Sequence, residues 1–394
     1  MNIPLPARSQ RSPLAVIFLT VFLDLLGFGI VIPILPLYAE TMHASKPQIG
    51  LLLAVYSMAQ LVFSPIWGRL SDRHGRRPIL LLSILGSCGS QLGYAFAPSF
   101  AWLVVARGFA GVCGANVTAA QAYVADVTDE KSRAAGMGTL GAALGLGFVF
   151  GPAAGAFLSH RSPTLPFLVA GALAGVNFAL AFVVLREPRP PSERTHARTL
   201  TWEGLGRAVS SPKLRPLLLL YFIITFGFAQ LEGTFSLYLE EKYHYGKSEA
   251  GLLFCYIGLL IVIVQGGVVR RLAPRVGERT LIIAGTLLMA AGFLMQWASS
   301  TLLLLLPAIA VMSIGNALNT PSLSSLISRA AGGDQQGGVL GVSQALGALA
   351  RIAGPLLGTW QLGFDIRTPY ATGGFFMLAA CAFAALTVRQ PAPE

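Results

Sequence analysis

The sequence predicts an all-α membrane protein with twelve transmembrane helices in two six-helix pseudo-symmetric bundles. Three observations carry that expectation. Hydrophobic residues make up 54% of the 394-residue chain and charged residues only 11%, more apolar surface than one water-soluble core can hide. Apolar windows of about 20 residues, the length that crosses a bilayer core, recur from end to end. The second half of the chain can be laid on the first at an offset of 202 to 203 residues.

The first apolar segment, Leu14–Tyr38, follows Arg8 and Arg11 as the core of a signal peptide would. Its length of about 25 residues, with no small-residue cleavage site, makes it a retained span. Pro47–Trp67 and Pro78–Ala97 come next, separated by a tight basic loop. Phe100–Tyr123 carries Arg107 and a run of glycines, Gly136–Leu158 a glycine ladder with Pro152, and Leu165–Leu185 is apolar throughout. Residues 186–213 are polar and rich in Arg, Pro, Ser and Glu, and form a linker between an N-terminal bundle (1–185) and a C-terminal bundle (214–394). The stretch from Thr201 to Leu205 reads as the start of a short interfacial helix. The second bundle comprises Leu214–Leu239, Ser248–Val269, Thr280–Trp297, Thr301–Ile327, Gly338–Trp360 and Tyr370–Val388.

A net charge of +11 is compatible with nucleic acid in principle, but its placement argues for topology. Lys46, Arg161, Lys242, Lys247 and Arg367 lie on odd-numbered connections, and Arg107 and Arg351 lie inside spans; all the other Lys and Arg residues flank the termini and even-numbered connections. The positive-inside rule puts those connections and both termini in the cytoplasm, so the chain is expected to be multi-pass in the cytoplasmic (inner) membrane. Cys88, Cys113, Cys255 and Cys381 all fall in spans without metal-ligand or disulfide spacing, as small packing residues do. All five histidines (His43, His74, His160, His196, His244) fall in loops, and there is no H-E-x-x-H, G-x-S-x-G or P-loop. Enzyme chemistry is therefore not expected, nor any metal or cofactor.

The repeat matches Gly151-Pro152-Ala153-Ala154-Gly155 to Gly354-Pro355-Leu356-Leu357-Gly358, Asn116 to Asn319 and Gly138 to Gly341. The basic loop Gly68-Arg69-Leu70-Ser71-Asp72-Arg73-His74-Gly75-Arg76-Arg77 maps in part onto Arg271–Arg279, with Arg73, Gly75 and Arg77 matched by Arg275, Gly277 and Arg279, and Asp72 replaced by Pro274. Two halves of one topology place a site between them near the midplane, reached alternately from either side.

On these residues the chain resembles the major facilitator superfamily, and within it twelve-span drug–proton antiporters of the tetracycline-efflux type. The loop follows the superfamily's G-x-L-x-D-R-x-G-R-R pattern, with His74 where an aromatic is usual. Arg107 with Gly108, Gly111 and Gly114 is similar to the family's fourth-span motif. Gly147, Gly151, Pro152 and Gly155 are similar to its antiporter motif. Leu23-Asp24-x-x-Gly27-x-Gly29-x-x-x-Pro33-x-Leu35-Pro36 is the piece most similar to tetracycline exporters. The resemblance implies a proton-driven exporter of drugs, contributing to multidrug efflux and antibiotic resistance, working as a monomer. It departs where those exporters carry a histidine and an aspartate: the corresponding positions, near Val262 and Met289, are apolar here.

Asp24 lies mid-span, where a carboxylate costs roughly 2.5–3.5 kcal/mol on insertion scales and an ionisable residue is a functional candidate; the alternative is a carboxylate bridging helices. Glu232, between Phe228 and Phe235, either takes a proton or cationic substrate or faces external water. Arg107 either couples to those carboxylates or snorkels to the interface. Arg351 is a second buried-arginine candidate outside the repeat, since its counterpart is Phe148. The glycine ladder brings helices close together, and the resemblance makes it a seal between the halves. In the loop, Asp72 is expected to meet a helix dipole across the cytoplasmic gate and Arg73 to pair with Asp126, while Arg69, Arg76 and Arg77 anchor topology. Phe28, Tyr56, Gln60, Asn116, Gln121, Phe228, Gln230, Glu232 and Asn319 form the expected pocket, suited to an amphipathic organic molecule, cations included. Proton-coupled uptake of a small nutrient is the competing function.

Overall fold

The computed structural model describes residues 13–114, 116–128, 133–187, 210–331 and 336–388. The regular elements among them are all helical. The first half comprises α1 (Pro13–Val31), α2 (Leu35–Glu40), α3 (Lys46–His74), α4 (Arg76–Ala95), α5 (Phe100–Cys113), α6 (Asn116–Val127), α7 (Arg133–Ser159) and α8 (Leu165–Val184). The second comprises α9 (Arg215–Tyr243), α10 (Lys247–Ile263), a π-helical segment Val264–Val269, α11 (Arg270–Ala298), α12 (Leu302–Ala331), α13 (Gln336–Leu362) and α14 (Thr368–Thr387).

Among the described residues, nine helical segments are long and apolar enough to cross a membrane. One of them, Lys247–Ala298, covers both the eighth and the ninth segments expected from the sequence, and Gly277, with non-helical φ 78° and ψ 155°, kinks the chain between the two. The first and fourth segments are interrupted rather than continuous. Pro33 has no amide hydrogen to donate, and the chain breaks there between α1 and α2. The fourth stops at Cys113 and resumes at Asn116 as α6. Residues 188–209 of the linker, including the interfacial helix expected from Thr201, lie outside the described residues.

The repeat shows in the backbone. Four residues adopt positive φ among the described residues: Gly75 (113°) and Gly277 (78°), which the repeat relates, and His43 (59°) and His244 (58°), one residue off its register. At Gly75 a side chain would also meet the Glu187 carboxylate, 2.6 Å from a Cβ. Packing repeats as well: α1 lies along α7, and α9 lies along α13 in the same way. Among the described residues the halves meet chiefly where α7 crosses α10 and α3 crosses α13, with a smaller contact of α2 on α9.

These crossings lie toward one end of the molecule. There Lys46 pairs with Glu241, Ser236 donates to the Pro33 carbonyl at 2.8 Å, and Ser248 donates to the Ala156 carbonyl at 2.8 Å. At the other, basic end a Cβ at Gly68, Gly138, Gly141, Gly266, Gly267 or Gly338 would meet nothing within 4 Å. Among the described residues, the contacts between the halves gather at the lysine–glutamate end.

Candidate functional site

A group of charged and aromatic side chains lies within the spans of both halves. Arg107 on α5 is 5% exposed. Its guanidinium carbon lies 4.6 Å from the Tyr56 ring centroid and 5.7 Å from that of Phe28, a cation–π seat. The Phe28 ring in turn lies 5.3 Å from Tyr56 and 6.3 Å from Phe148. Gly108, Gly111 and Gly114 let α5 settle on α3: a Cβ at Gly108 would touch Val55, and one at Gly111 would sit 2.9 Å from the Ala59 Cβ. Arg107 is thus fixed at the seam rather than free to snorkel.

Glu232 on α9 is half-buried, and the charges of Arg351 and Arg107 both act on it. Arg351 on α13 stands beside Tyr221, both within 3.4 Å of a Cβ built at Gly347, and its charge reaches Tyr56 in the other half. Asp24 on α1 is half-buried, engaged by a neighbouring residue, and its charge also reaches Tyr56. Arg107 lies over Tyr56, which the charges of Asp24 and Arg351 also reach, and the two arginines both act on Glu232.

Several expected pocket residues sit elsewhere. Gln230 is fully buried and turned into the second half, its amide nitrogen donating to Gln361 Oε1 at 2.8 Å and the Pro369 carbonyl at 3.0 Å. Asn319 is fully buried too; its Oδ1 accepts from Thr286 at 3.3 Å and its Nδ2 lies 3.4 Å from Met289 Sδ. Both are internal packing amides and not pocket lining. Gln60 is half-buried and donates to the Gly114 carbonyl at 3.0 Å, where the fourth span breaks. Phe228 packs partly against the core of the second half, and Gln121 is exposed. The side chain of Asn116 lies outside the described residues.

The glycine ladder also faces a different partner from the one expected. A Cβ at Gly147 would sit 2.6 Å from the Leu25 Cβ, one at Gly151 2.7 Å from the Gly29 Cα, and one at Gly155 2.6 Å from the Ile30 carbonyl oxygen. The ladder seats α7 on α1 inside the first half. The seam between halves uses the other face of α7, where Gly251 of α10 meets the Pro152 carbonyl and Ala156, and Gly258 meets Phe148. Close approach there is supplied by glycines of the second half.

At the basic end, Asp126 accepts from Arg76 Nε at 3.1 Å, while Arg73 is exposed. The expected Arg73–Asp126 pair is therefore an Arg76–Asp126 pair, because Gly75 turns the chain so that Arg76 opens α4 against the end of α6. Arg77 donates to the Leu185 and Phe182 carbonyls, each at 2.7 Å, so Arg76 and Arg77 brace the loop structurally. Glu187, which sequence reasoning did not single out, accepts from the Arg76 and Arg77 amides at 2.7 and 3.0 Å, closing the α4 N-terminus. Its place just after the sixth span was the available signal. The Asp72 side chain lies outside the described residues. The repeat-related strut in the second half reverses polarity: Glu278 opens the loop and pairs with Arg329 at 2.7 Å.

At the lysine–glutamate end, Glu40, just past the first apolar segment, hydrogen-bonds Glu240 of the other half. Burial, then that hydrogen bond and the Glu240 charge, push the Glu40 carboxyl up to about 8 against the opposing pull of Lys46. With an ordinary carboxyl value once the halves part, the seal is strongest below about pH 4.5 and weakens as pH rises through about 8. Maleimide labelling of Ser159→Cys in a background without the native cysteines should rise across that range, since Ser159 lies at this seam 3.3 Å from Ser248. Glu40→Gln should flatten the pH dependence.

A family model described as Major Facilitator Superfamily matches residues 17–277 and 266–394. The tetracycline resistance protein, class D, of Salmonella ordonez is 31% identical over 402 residues, covering 98% of this chain and 99% of that protein. Multidrug resistance protein 2 of Bacillus subtilis (strain 168) is 28% identical over 380 residues, covering 94% of each. Among solved structures, the human organic anion transporter MFSD10 (TETRAN) superposes with a TM-score of 0.74 at 27% identity, covering 96% of this chain and 100% of that one.

Proposed function

Because this chain belongs to the Major Facilitator Superfamily, we propose that it exports an amphipathic organic compound from the cytoplasm in exchange for protons, by alternating access. It is a multi-pass membrane transporter and not an enzyme. The observation that carries the antiport reading is Glu232, placed at the seam under the charges of one arginine from each half. A proton or a substrate at that carboxylate is felt by both halves at once, which is what coupling requires.

The basic end is assigned to the cytoplasm on the positive-inside rule, and contacts between the halves gathered at the opposite end support an inward-facing state. Asp24 and Glu232 take up and release the proton, Arg107 tunes them, and the 2–3 loop with its Arg76–Asp126 strut belongs to the cytoplasmic gate. The proton gradient is the energy source, and one chain, a monomer in the inner membrane, is the transporting unit. The relatives named for tetracycline and multidrug resistance support an exported, drug-like substrate.

The test uses everted vesicles energised to an acidic interior. Addition of a substrate from a panel of drugs and dyes should dissipate the pH gradient, and Asp24→Asn should abolish that response. Full proton-driven export by Asp24→Asn would remove Asp24 from the mechanism. Proton movement in the same direction as substrate would establish nutrient symport instead.

A further inference from the structure

The connection between the eighth and ninth segments is the second half's copy of the basic 2–3 loop, with one change of kind. Arg271 and Arg275 occupy the places of Arg69 and Arg73, and Pro274 stands where the first half has Asp72. The copy keeps those two arginines and lacks the acid between them. Arg270, Arg271 and Arg275 are all exposed, on the part of α11 that precedes the kink at Gly277. Leu272, Ala273 and Val276 of the same part pack against an apolar cluster that includes Val264 and Leu281. The apolar side of this short stretch therefore faces the bundle and the arginines face away from it. Among the described residues none of the three arginines forms an ion pair. Glu278, the acid closest in sequence, is taken by Arg329 at 2.7 Å and Ser325 at 3.1 Å. The eighth apolar segment ends at Val269 and the ninth begins at Thr280, so the arginines stand at the level of the lipid headgroups.

From this placement we infer that the stretch binds an anionic phospholipid, its phosphate held by Arg271 and Arg275 with Arg270 beside them. Arg271 and Arg275 are four residues apart and so lie one above the other on the helix surface. Two guanidinium forks so placed suit the oxygens of a phosphate. Val268, three and seven residues before the two arginines, is 43% exposed on the same side and offers apolar surface to an acyl chain. An arginine close to an anionic membrane surface contributes about fivefold in affinity. The first-half loop differs because its charge is answered from within the protein. Arg76 pairs there with Asp126, and Glu187 accepts from the Arg76 and Arg77 amides. The membrane thus supplies to the second half the anion that Pro274 removes from the repeat. The inference needs a membrane-embedded chain and nothing from the antiport reading.

The test is lipid binding to the purified full chain in detergent, followed by native mass spectrometry. The chain is titrated with dioleoylphosphatidylglycerol or with the zwitterionic dioleoylphosphatidylcholine. The parent should bind phosphatidylglycerol at least about tenfold more tightly, and the preference should shrink as salt rises, since exposed charges are screened. Arg271→Gln combined with Arg275→Gln should erase the preference. The repeat-matched pair, Arg69→Gln with Arg73→Gln, should leave it in place. Pro274→Asp keeps every arginine and restores the acid of the first half, so it should erase the preference as well. A thermal midpoint in phosphatidylcholine-containing micelles equal to the parent's checks that each variant is folded. Equal binding of the two lipids by the parent would overturn the inference. So would a preference that survives in the Arg271 and Arg275 variant or in Pro274→Asp, or one that disappears with Arg69 and Arg73. Displacement of the lipid by millimolar sn-glycerol 1-phosphate would identify a site for free phosphate esters and overturn the lipid assignment.

Discussion

Gly50→Leu should abolish net transport and hold the protein with its lysine–glutamate end open. Gly50 lies on α3 where it crosses α13 of the other half. A Cβ there would overlap Thr359 Oγ1 and come within 3.0 Å of the Pro355 carbonyl oxygen and 3.3 Å of the Leu356 Cα. Two of those atoms are backbone, so no side-chain rotation relieves the overlap. Overpacking of this kind costs about 1–3 kcal/mol, which displaces a two-state equilibrium by roughly 5- to 150-fold. The cost falls only on the state in which this end is sealed. Maleimide labelling of Ser159→Cys should rise to near completion in the double variant while gradient-driven export falls to background. Unchanged labelling with intact export would show that the α3–α13 crossing is not part of the seal.

The second large effect concerns the Arg76–Asp126 strut, whose side chains are 10% and 17% exposed. Removing one partner of a buried pair costs about 3–5 kcal/mol, because the other charge is left uncompensated. Asp126→Arg goes further and places two guanidinium groups together, so yield and thermal midpoint in detergent should both drop sharply. The second half carries the opposite polarity at the corresponding place, as Glu278 and Arg329. Arg76→Glu combined with Asp126→Arg should therefore recover most of the lost stability. An Asp126→Arg protein as stable as the parent would mean the strut contributes nothing to the fold.

Apolar length made the spans legible, because twenty consecutive apolar residues have one physical use. The breaks at Pro33 and Gly114 were not, since a proline or glycine in a span is equally compatible with a bend. The repeat correctly matched Gly75 to Gly277, and both adopt positive φ. It concealed the strut because identity was sought, and Arg76 faces Glu278 in that comparison. Polar residues in spans were the hardest to place. Gln230 and Glu232 are two apart on one helix, yet the amide closes a network inside its own half and the carboxylate stands at the seam. Composition gives both the same weight; only the partner distinguishes them. The glycine ladder was ambiguous for a related reason: small residues announce close approach but not the identity of the neighbour.

The reversed struts bear on how such a chain assembles. Two similar helical halves emerge in tandem from one ribosome, and each offers the other plausible but wrong helices to pair with, a characteristic failure of repeat proteins. Were α4 to dock on the end of α12, Arg76 would meet Arg329. Were α11 to dock on the end of α6, Glu278 would meet Asp126. Each mispairing sets like charges together and orphans two more, whereas the native pairings satisfy all four. The inversion of sign thus disfavours an exchange of helices between the halves.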